Sequence, residues 1–334
     1  MKQAKSLILT ALAHFYYKNT LSCDVNWCIM PRMKHGTDLT GELLKAVSRS
    51  FYLTIYWLPQ AMRSGVALGY MLARATDSVA DTSSAAPELR ERVLQRMREA
   101  IAGTDSAEER AALLEELSCT MAEAQQNPAE STLLRRFGDC LAALHTFPAE
   151  QQACLRKVLH TIIEGQIWDI TFFRKHDRVD TDEQTIHYTY LVAGCVGEFW
   201  TELGYAAMGT TFCAPEKRED MLQAGIRYGQ GLQLINILRD REEDALRGRS
   251  YLCSDAKKWL NRADYYMNDG IDYCQRLRGF RLRFAGMLPA LIGKKTIALL
   301  RRARPEDGRV KIPRSAVYGC MLKAVWLSLA GRAS

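Results

Sequence analysis

Apolar residues recur with helical spacing along almost the whole chain from about residue 39 onward. The pattern predicts helices at about 39–57, 60–82, 87–103, 107–126, 130–144, 148–173, 183–208, 215–245, 255–277, 284–303 and 314–330. Most prolines stand near a predicted end or beginning, and no alternating run of Val, Ile and Thr predicts a strand. We therefore expect an all-α protein with one domain, residues 37–334, preceded by a poorly ordered extension, residues 1–36.

A polar stripe interrupts the most apolar of these helices. Most side chains between 229 and 244 are large and apolar, which is typical of a buried helix. One face carries polar residues at helical spacing instead: Gln233, Asn236, Asp240 and Asp244. Carboxylates are rarely buried without a partner. Two of them one turn apart suit a hard divalent cation that also meets a phosphate.

A second segment has the same design about 160 residues earlier. Asp77 and Asp81 are four residues apart on an apolar helix, and Tyr70 and Arg74 lie on the same face. One Asp-x-x-x-Asp is a weak signal, because any surface helix can supply it by chance. Two of them, each on a largely apolar helix, favour a shared metal site over two solvated helix faces.

Two short stretches could contact phosphate. In Ser48-Arg49-Ser50-Phe51 the hydroxyls and the forked guanidinium could hold phosphate oxygens, although such a tripeptide is common. Arg249 follows the second acidic pair and could neutralise a diphosphate. The ordinary explanation there is a helix end capped by Gly248.

Two helical stretches carry further polar or small residues. Gly194 and Gly197 weaken a helix, so they predict close approach by a ligand or by another helix, with Tyr188 nearby. Gln166 and Asp169 lie three apart on an aromatic-rich helix. We interpret that pair as an ordinary helix face with a solvated acid.

Composition and charge narrow the class of protein. Hydrophobic residues make up 48% and charged residues 25%, which is typical of a globular protein. The net charge of +7 fits an anionic substrate or a membrane surface. No basic block with interleaved aromatics is present, so we expect no nucleic-acid partner. Ten scattered cysteines without Cys-x-x-Cys argue against zinc and for a reducing compartment.

These segments together resemble the squalene/phytoene synthase family. The similarity rests on 48–51, on Tyr70 with 74–81, on 188–197 and on 233–249, in the order and spacing of that family over about residues 41–330. It implies an isoprenoid-synthase helical bundle with a central active-site cavity. It also implies a prenyltransferase that joins two prenyl diphosphates head to head through a cyclopropyl diphosphate.

The resemblance also implies roles for the residues of these motifs. Mg²⁺ or Mn²⁺ would be bound by Asp77, Asp81, Asp240 and Asp244. The substrate would be bound by Ser48, Arg49, Ser50, Phe51, Tyr70, Arg74, Gln233, Asn236, Arg239 and Arg249. Tyr188 matches the family tyrosine that handles a proton in the first half-reaction.

Several stretches are more similar to squalene synthases than to phytoene synthases, among them 47–51, 72–77, 192–197 and 288–293. We therefore expect two farnesyl diphosphates to give squalene with reduction by NADPH. The alternatives are phytoene synthesis from geranylgeranyl diphosphate without a reductant, and a non-catalytic prenyl-lipid-binding protein. The loop-helix segment that follows Gly-Arg-x-Tyr-Leu in relatives is missing after Leu252, which favours the last alternative.

No uninterrupted apolar run is long enough to span a membrane. Residues 6–17 resemble a signal-peptide core without a cleavage site, and we interpret them as part of the extension. Since squalene is insoluble in water, we expect a cytoplasmic monomer held peripherally on a membrane. The candidate amphipathic surfaces are 280–300 and 314–329.

Overall fold

The computed structural model describes residues 41–48, 51–304 and 309–330, and over these ranges the chain is all-α, without a strand. The α-helices are α1 (Glu42–Ser48), α2 (Phe51–Trp57), α3 (Gln60–Ala80), α4 (Pro87–Ala102), α5 (Ala107–Glu116), α6 (Pro128–Arg135), α7 (Phe137–Leu144), α8 (Ala149–Phe172), α9 (Asp182–Thr189), α10 (Cys195–Met208), α11 (Arg218–Ala245), α12 (Ala256–Arg276), α13 (Phe280–Leu300) and α14 (Arg314–Leu329). Two π-helical segments, Leu117–Met121 and Tyr190–Gly194, follow α5 and α9. The predicted fold class is confirmed. The proposed extension 1–36 lies outside the described residues.

Some predicted helices are divided in the structure. The stretch predicted at 130–144 forms α6 and α7, which meet at Arg136, where the backbone leaves helical angles (φ −100°, ψ 17°). The stretch predicted at 183–208 is interrupted by the π-helical turn 190–194. Pro289 lies inside α13. Apolar spacing continues across such breaks because both sides face one core, so periodicity alone does not detect them.

The long helices α3, α8, α10 and α11 pack around one hydrophobic core. The crossing of α10 with α11 is a backbone contact. A Cβ built on Gly197 would lie 1.8 Å from the carbonyl oxygen of Gly225. Of the two explanations for the glycines near 194–197, approach by another helix is the one observed at Gly197.

The connection after α11 is short and bends back toward α8. Gly248 adopts the left-handed conformation (φ 70°), and the amide of Arg249 donates to the Asp244 carbonyl at 2.9 Å. The amide of Val179 then donates to the Ser250 carbonyl at 3.0 Å, which ties this loop to the one that follows α8. The chain enters α12 at once, with Asp255 as its N-cap, so the connection after Leu252 is short. That a segment of the relatives is missing here stays a prediction.

The two candidate membrane surfaces differ in the structure. Helix α13 is largely buried because α11, α12 and α14 all pack on it, so the expectation of an amphipathic surface at 280–300 is wrong. Helix α14 exposes large apolar side chains. Across the described ranges, no helix combines the length and the hydropathy that crossing a membrane requires.

Candidate active site

The first acidic pair lies where α3 ends. Asp77 is buried in the last turn, and Asp81 is the C-cap residue. Gln166 of α8 donates its Nε2 proton to Asp77 Oδ1 at 2.7 Å. Burial, and then the charge of Asp77, raise the pKa of Asp81 well above its usual range. Two ionised carboxylates are therefore costly at this position, and a bound cation would offset that cost and favour the ionised form of Asp81.

Arg74, one turn before Asp77, is oriented by a carboxylate that the sequence analysis missed. Its Nη2 lies 2.5 Å from Glu130 Oε1 of α6, and Ser78 Oγ donates to Glu130 Oε2 at 3.2 Å. Glu130 is itself buried. Helix α6 thus fixes the predicted diphosphate-binding arginine on the same side of α3 as the acidic pair.

The second acidic pair is buried on α11 and is held by arginines. Arg239 donates from Nε and Nη2 to the two oxygens of Asp240, at 3.0 and 2.9 Å. Arg309, which the sequence analysis also missed, forms an ion pair with Asp240 and reaches Glu243 Oε1 at 3.3 Å. Asp244 is buried one turn further on. Asp240 is therefore neutralised by guanidinium groups in this structure.

Amide oxygens complete the polar faces of α8 and α11. Asn236 donates to Gln233 Oε1 at 3.4 Å, and both side chains are buried. The Oδ1 atom of Asn236 and the Oε1 atom of Gln166 are buried, and neither has a hydrogen-bond partner among the described residues. Buried acceptors without partners are costly unless a ligand or water satisfies them. Both atoms are amide carbonyl oxygens, which are ligands that Mg²⁺ can bind.

Asp169 is a buried residue between the two acidic pairs, and its interpretation as a solvated acid is wrong. It is buried, it forms an ion pair with Arg249, and it accepts a hydrogen bond from the Tyr251 hydroxyl at 2.6 Å. The negative charge of Asp169 raises the pKa of Arg249. Gln166, assigned with Asp169 to an ordinary helix face, is also buried and contacts Asp77.

Aromatic rings form a layer beside this ion pair. The rings of Tyr188 and Tyr251 stack with centroids 4.7 Å apart, and Trp168 lies 5.3 Å from Tyr188. Phe173 packs edge-on against Tyr251 at 4.9 Å, with the Arg249 guanidinium 5.8 Å from its centroid. Burial, and then the neighbouring Tyr251, raise the pKa of Tyr188, so its phenol stays protonated. Such a layer suits a cationic intermediate kept from water.

Both acidic pairs interact electrostatically with the cluster of Asp169, Arg249 and Tyr251. The charge of Arg249 opposes the upward shift in the pKa of Asp81 on one side. Burial and then Asp169 raise the pKa of Tyr251, and Asp244 on the other side adds to that shift. Arg249, Asp169 and Tyr251 therefore lie within electrostatic reach of both α3 and α11.

Two other predicted substrate contacts, Tyr70 and Phe51, pack α1 and α2 against α3, whereas the hydrogen bond of Ser48 lies within α1. The Ser48 hydroxyl donates to the Leu44 carbonyl, the Tyr70 hydroxyl donates to the Val47 carbonyl at 2.9 Å, and Phe51 lies 5.3 Å from Tyr70. Their role as substrate contacts stays a prediction. Arg49 and Ser50 lie outside the described residues.

No group of three or more His, Cys, Asp or Glu side chains in the described ranges is arranged to hold a metal ion. A site for Mg²⁺ needs fewer protein ligands, because the ion keeps waters and takes one or two carboxylates together with substrate phosphate. Each acidic pair supplies the two carboxylates that such a site needs.

Comparison with known proteins connects this site to a family. The chain is 27% identical over 222 residues to a bifunctional lycopene cyclase/phytoene synthase of Phaeosphaeria nodorum, covering 66% of this chain and 34% of that protein. It is 26% identical over 229 residues to a squalene synthase of Eremothecium gossypii, covering 67% and 47%. It is 26% identical over 259 residues to the chloroplastic phytoene synthase 1 of Zea mays, covering 76% and 53%. The matched region thus spans between a third and about half of these relatives.

A solved structure of TcSQS with the ligand BPH1237 has the same fold, with a TM-score of 0.66 at 22% identity, over 86% of this chain and 87% of that chain. The family model described as squalene/phytoene synthase matches residues 44–256, more than half of the chain. That range includes both acidic pairs, Asp169, Tyr188 and Arg249, and it ends where α12 begins. This chain belongs to the squalene/phytoene synthase family.

Proposed function

We propose that this chain joins two farnesyl diphosphates head to head, through presqualene diphosphate, and reduces the product to squalene with NADPH. The observation that carries the proposal is the arrangement of two acidic pairs, at the ends of α3 and α11, around one cluster that contains Arg249 and a layer of aromatic rings. Membership of the family supports a prenyltransferase-type reaction between prenyl diphosphates, without specifying squalene as the product.

Mg²⁺, or Mn²⁺, fits the residues present. Asp77 and Asp81 would hold an ion at the end of α3, because burial and the neighbouring charge of Asp77 disfavour the ionised form of Asp81, and a cation would reverse that effect. On α11, Asp244 would hold a second ion, and Asp240 one turn earlier would join it once its arginine contacts loosen. When bound, the ions would supply positive charge to the diphosphate oxygens.

The arginines are positioned for diphosphate before any substrate arrives. Asp169 holds Arg249, and Glu130 holds Arg74. Both guanidinium groups are therefore already ordered before the substrate binds. Positive charge fixed where the leaving diphosphate forms stabilises the transition state more than charge that must reorganise. We infer that these two arginines bind the diphosphates from the α8 side and the α3 side.

The aromatic layer would protect the allylic cation that remains after diphosphate departs. Tyr188, Tyr251 and Trp168 present ring faces close together, and they exclude water from the space beside Arg249. The phenol of Tyr188 stays protonated, because burial raises its pKa. It can therefore donate a hydrogen bond to an oxygen of the departing diphosphate, and that diphosphate can accept the proton that is lost when the cyclopropane ring closes.

The test is product analysis with purified protein, Mg²⁺ and farnesyl diphosphate, with and without NADPH. We expect presqualene diphosphate or hydroxylated C30 products without NADPH, and squalene when it is added. Faster turnover of geranylgeranyl diphosphate to a C40 product, without response to NADPH, would contradict the squalene assignment and leave the head-to-head reaction intact.

Phytoene synthesis is the second candidate, and the relatives give it specific support. Two of the three relatives named above carry phytoene synthase in their descriptions. The same active-site cluster would serve it, because the two reactions differ in how the final cation is quenched. The comparison of C15 with C20 substrates decides between them.

A non-catalytic prenyl-lipid-binding protein is the third candidate, and the pairing of Asp240 with Arg239 and Arg309 favours it. It predicts tight binding of farnesyl diphosphate without diphosphate release in the presence of Mg²⁺. Release of diphosphate would exclude it.

The proposal includes the cytoplasm as the compartment and peripheral attachment to a membrane, since squalene needs an apolar phase. The chain would act as a monomer. Gel filtration and fractionation of cells, with salt and carbonate washes of the membranes, measure these properties.

A further inference from the structure

Helix α14 has two apolar faces, and the described part of the chain covers only one of them. Its buried stripe of Val317, Cys320, Ala324 and Ser328 packs toward α13. The outer stripe is exposed: Tyr318 55%, Leu322 74%, Trp326 66% and Leu329 71%. These four residues, spaced four, four and three apart, form a ridge along the helix, here called the outer ridge. A contiguous exposed apolar ridge marks an interaction surface, whereas single exposed apolar residues do not.

The described residues of α14 and of the segment just before it carry only basic charged side chains, and the acids Glu306 and Asp307 that precede them lie outside the described residues. Residues 309–330 contain Arg309, Lys311, Arg314 and Lys323 and no Asp or Glu. Arg309 turns inward to Asp240, while the other three are exposed. Residues 280–304, in α13 and just after it, add seven Lys or Arg and again no acid, but Lys294 and Arg301 form ion pairs with Asp264 of α12. The exposed Lys295 of α13 lies near the buried Cys320 of α14, so part of this charge borders the same helix.

An apolar ridge flanked by cations matches an anionic membrane surface. Large apolar side chains enter the boundary between headgroups and acyl chains, and Lys and Arg stems reach the phosphates. A second copy of this chain is a poorer match, because joining two outer ridges would bring two sets of cations together. The 16 residues of α14 extend about 24 Å, and the helix already packs along α13, so it fits the plane of the membrane and not a crossing.

We propose that the outer ridge of α14 docks this protein on membranes that contain anionic lipids. The inference rests on the peripheral membrane attachment in the proposed function and assigns it to this surface, while lipid binding can fail or succeed independently of catalysis. Trp326 and Leu322 insert at the centre of the ridge, and Lys311 and Lys323 contact lipid phosphates beside it.

The test is co-sedimentation of the full-length protein with phosphatidylcholine vesicles that contain or lack phosphatidylglycerol. Two variants divide the surface: L322Q/W326Q removes apolar area, and K311E/K323E reverses charge. The control Tyr265→Gln alters an exposed aromatic residue on α12, which is 59% exposed but lies outside α14. Circular dichroism checks that each variant is folded.

We expect the wild type to bind anionic vesicles about tenfold or more tightly than neutral ones, and to weaken as salt rises. L322Q/W326Q should lose about tenfold in affinity, K311E/K323E should lose the anionic preference, and Tyr265→Gln should bind as the wild type does. Absence of wild-type binding, or wild-type affinity in L322Q/W326Q, would overturn the proposal. A dimer in solution that L322Q/W326Q dissociates, without lipid binding, would assign the ridge to a second copy instead.

Discussion

Replacing Gly197 by alanine should destabilise the protein strongly, because this residue meets the backbone of α11 and not a side chain. The added Cβ would lie 1.8 Å from the carbonyl oxygen of Gly225 and 2.4 Å from its carbonyl carbon. Since Cβ atoms essentially never approach within 3.0 Å, α10 and α11 would have to separate by about 1.2 Å or more. Overpacking of this kind costs about 1–3 kcal/mol, and a clash with backbone should reach the upper end.

Gly319→Ala is the matched control. Gly319 is also helical, but it is exposed on α14, and no other group lies within 4 Å of the position that an alanine Cβ would occupy. Alanine there should leave stability unchanged or raise it by up to about 1 kcal/mol, because glycine disfavours a helix interior. Urea unfolding followed by far-UV circular dichroism measures both variants. If Gly197→Ala unfolds within about 1 kcal/mol of Gly319→Ala, the close crossing of α10 with α11 is refuted.

Three further predictions concern the active site. Asp169→Asn should lower the unfolding free energy by about 2–3 kcal/mol, measured in urea, because Arg249 loses its buried counter-charge and is itself partly exposed. Without metal, the stability of the protein should fall as the pH rises from about 4 toward the raised pKa of Asp81. Over that range the folded state retains a proton that the unfolded chain has released. The melting temperature of Asp81→Asn should lack this pH dependence. Tyr188→Phe should lower turnover of labelled farnesyl diphosphate about 100-fold, whereas Tyr190→Phe, which removes a hydroxyl bonded to Glu198, should change it little.

Each of these results has a contradicting outcome. Wild-type stability in Asp169→Asn would show that the pair with Arg249 does not form in solution. An unchanged pH profile in Asp81→Asn would assign the dependence to another group. Equal turnover in the two tyrosine variants would remove Tyr188 from the reaction.

The acidic pairs could be predicted from the sequence because each interrupts an apolar helix at helical spacing. Asp77 and Asp240 are conspicuous for the same physical reason that they are buried: their neighbours on the helix are apolar, so the helix belongs to the core. The fold class followed from the same periodicity. The divisions at Arg136 and at 190–194 did not, because they change backbone angles without changing the apolar pattern.

Asp169 could not be assigned from its local sequence, since its partners Arg249 and Tyr251 lie about 80 residues away and reach it through the loop pairing at Ser250. One signal was available at Gln166. It lies three residues after Ile163 and four before Ile170, on the apolar stripe of α8 and not on a solvated face. A polar residue on an apolar stripe indicates burial with a partner, here Asp77.

Glu130 and Arg309 illustrate a second limit. Both are single charged residues in ordinary surroundings, and only packing brings them to Arg74 and Asp240. The burial of α13 was not predicted for a similar reason. Its cationic and apolar sequence resembles an amphipathic surface helix, but three neighbouring helices cover it.

The most direct test of the central claim is the ratio of diphosphate released to prenyl product formed from farnesyl diphosphate and Mg²⁺. Head-to-head joining predicts one diphosphate for each presqualene diphosphate without NADPH, and two for each squalene with it. Asp77→Asn should abolish both products while leaving the helix content unchanged, because it removes charge and not volume. Absence of diphosphate release from C15 and C20 substrates alike would contradict the claim that this cluster is a head-to-head prenyltransferase site.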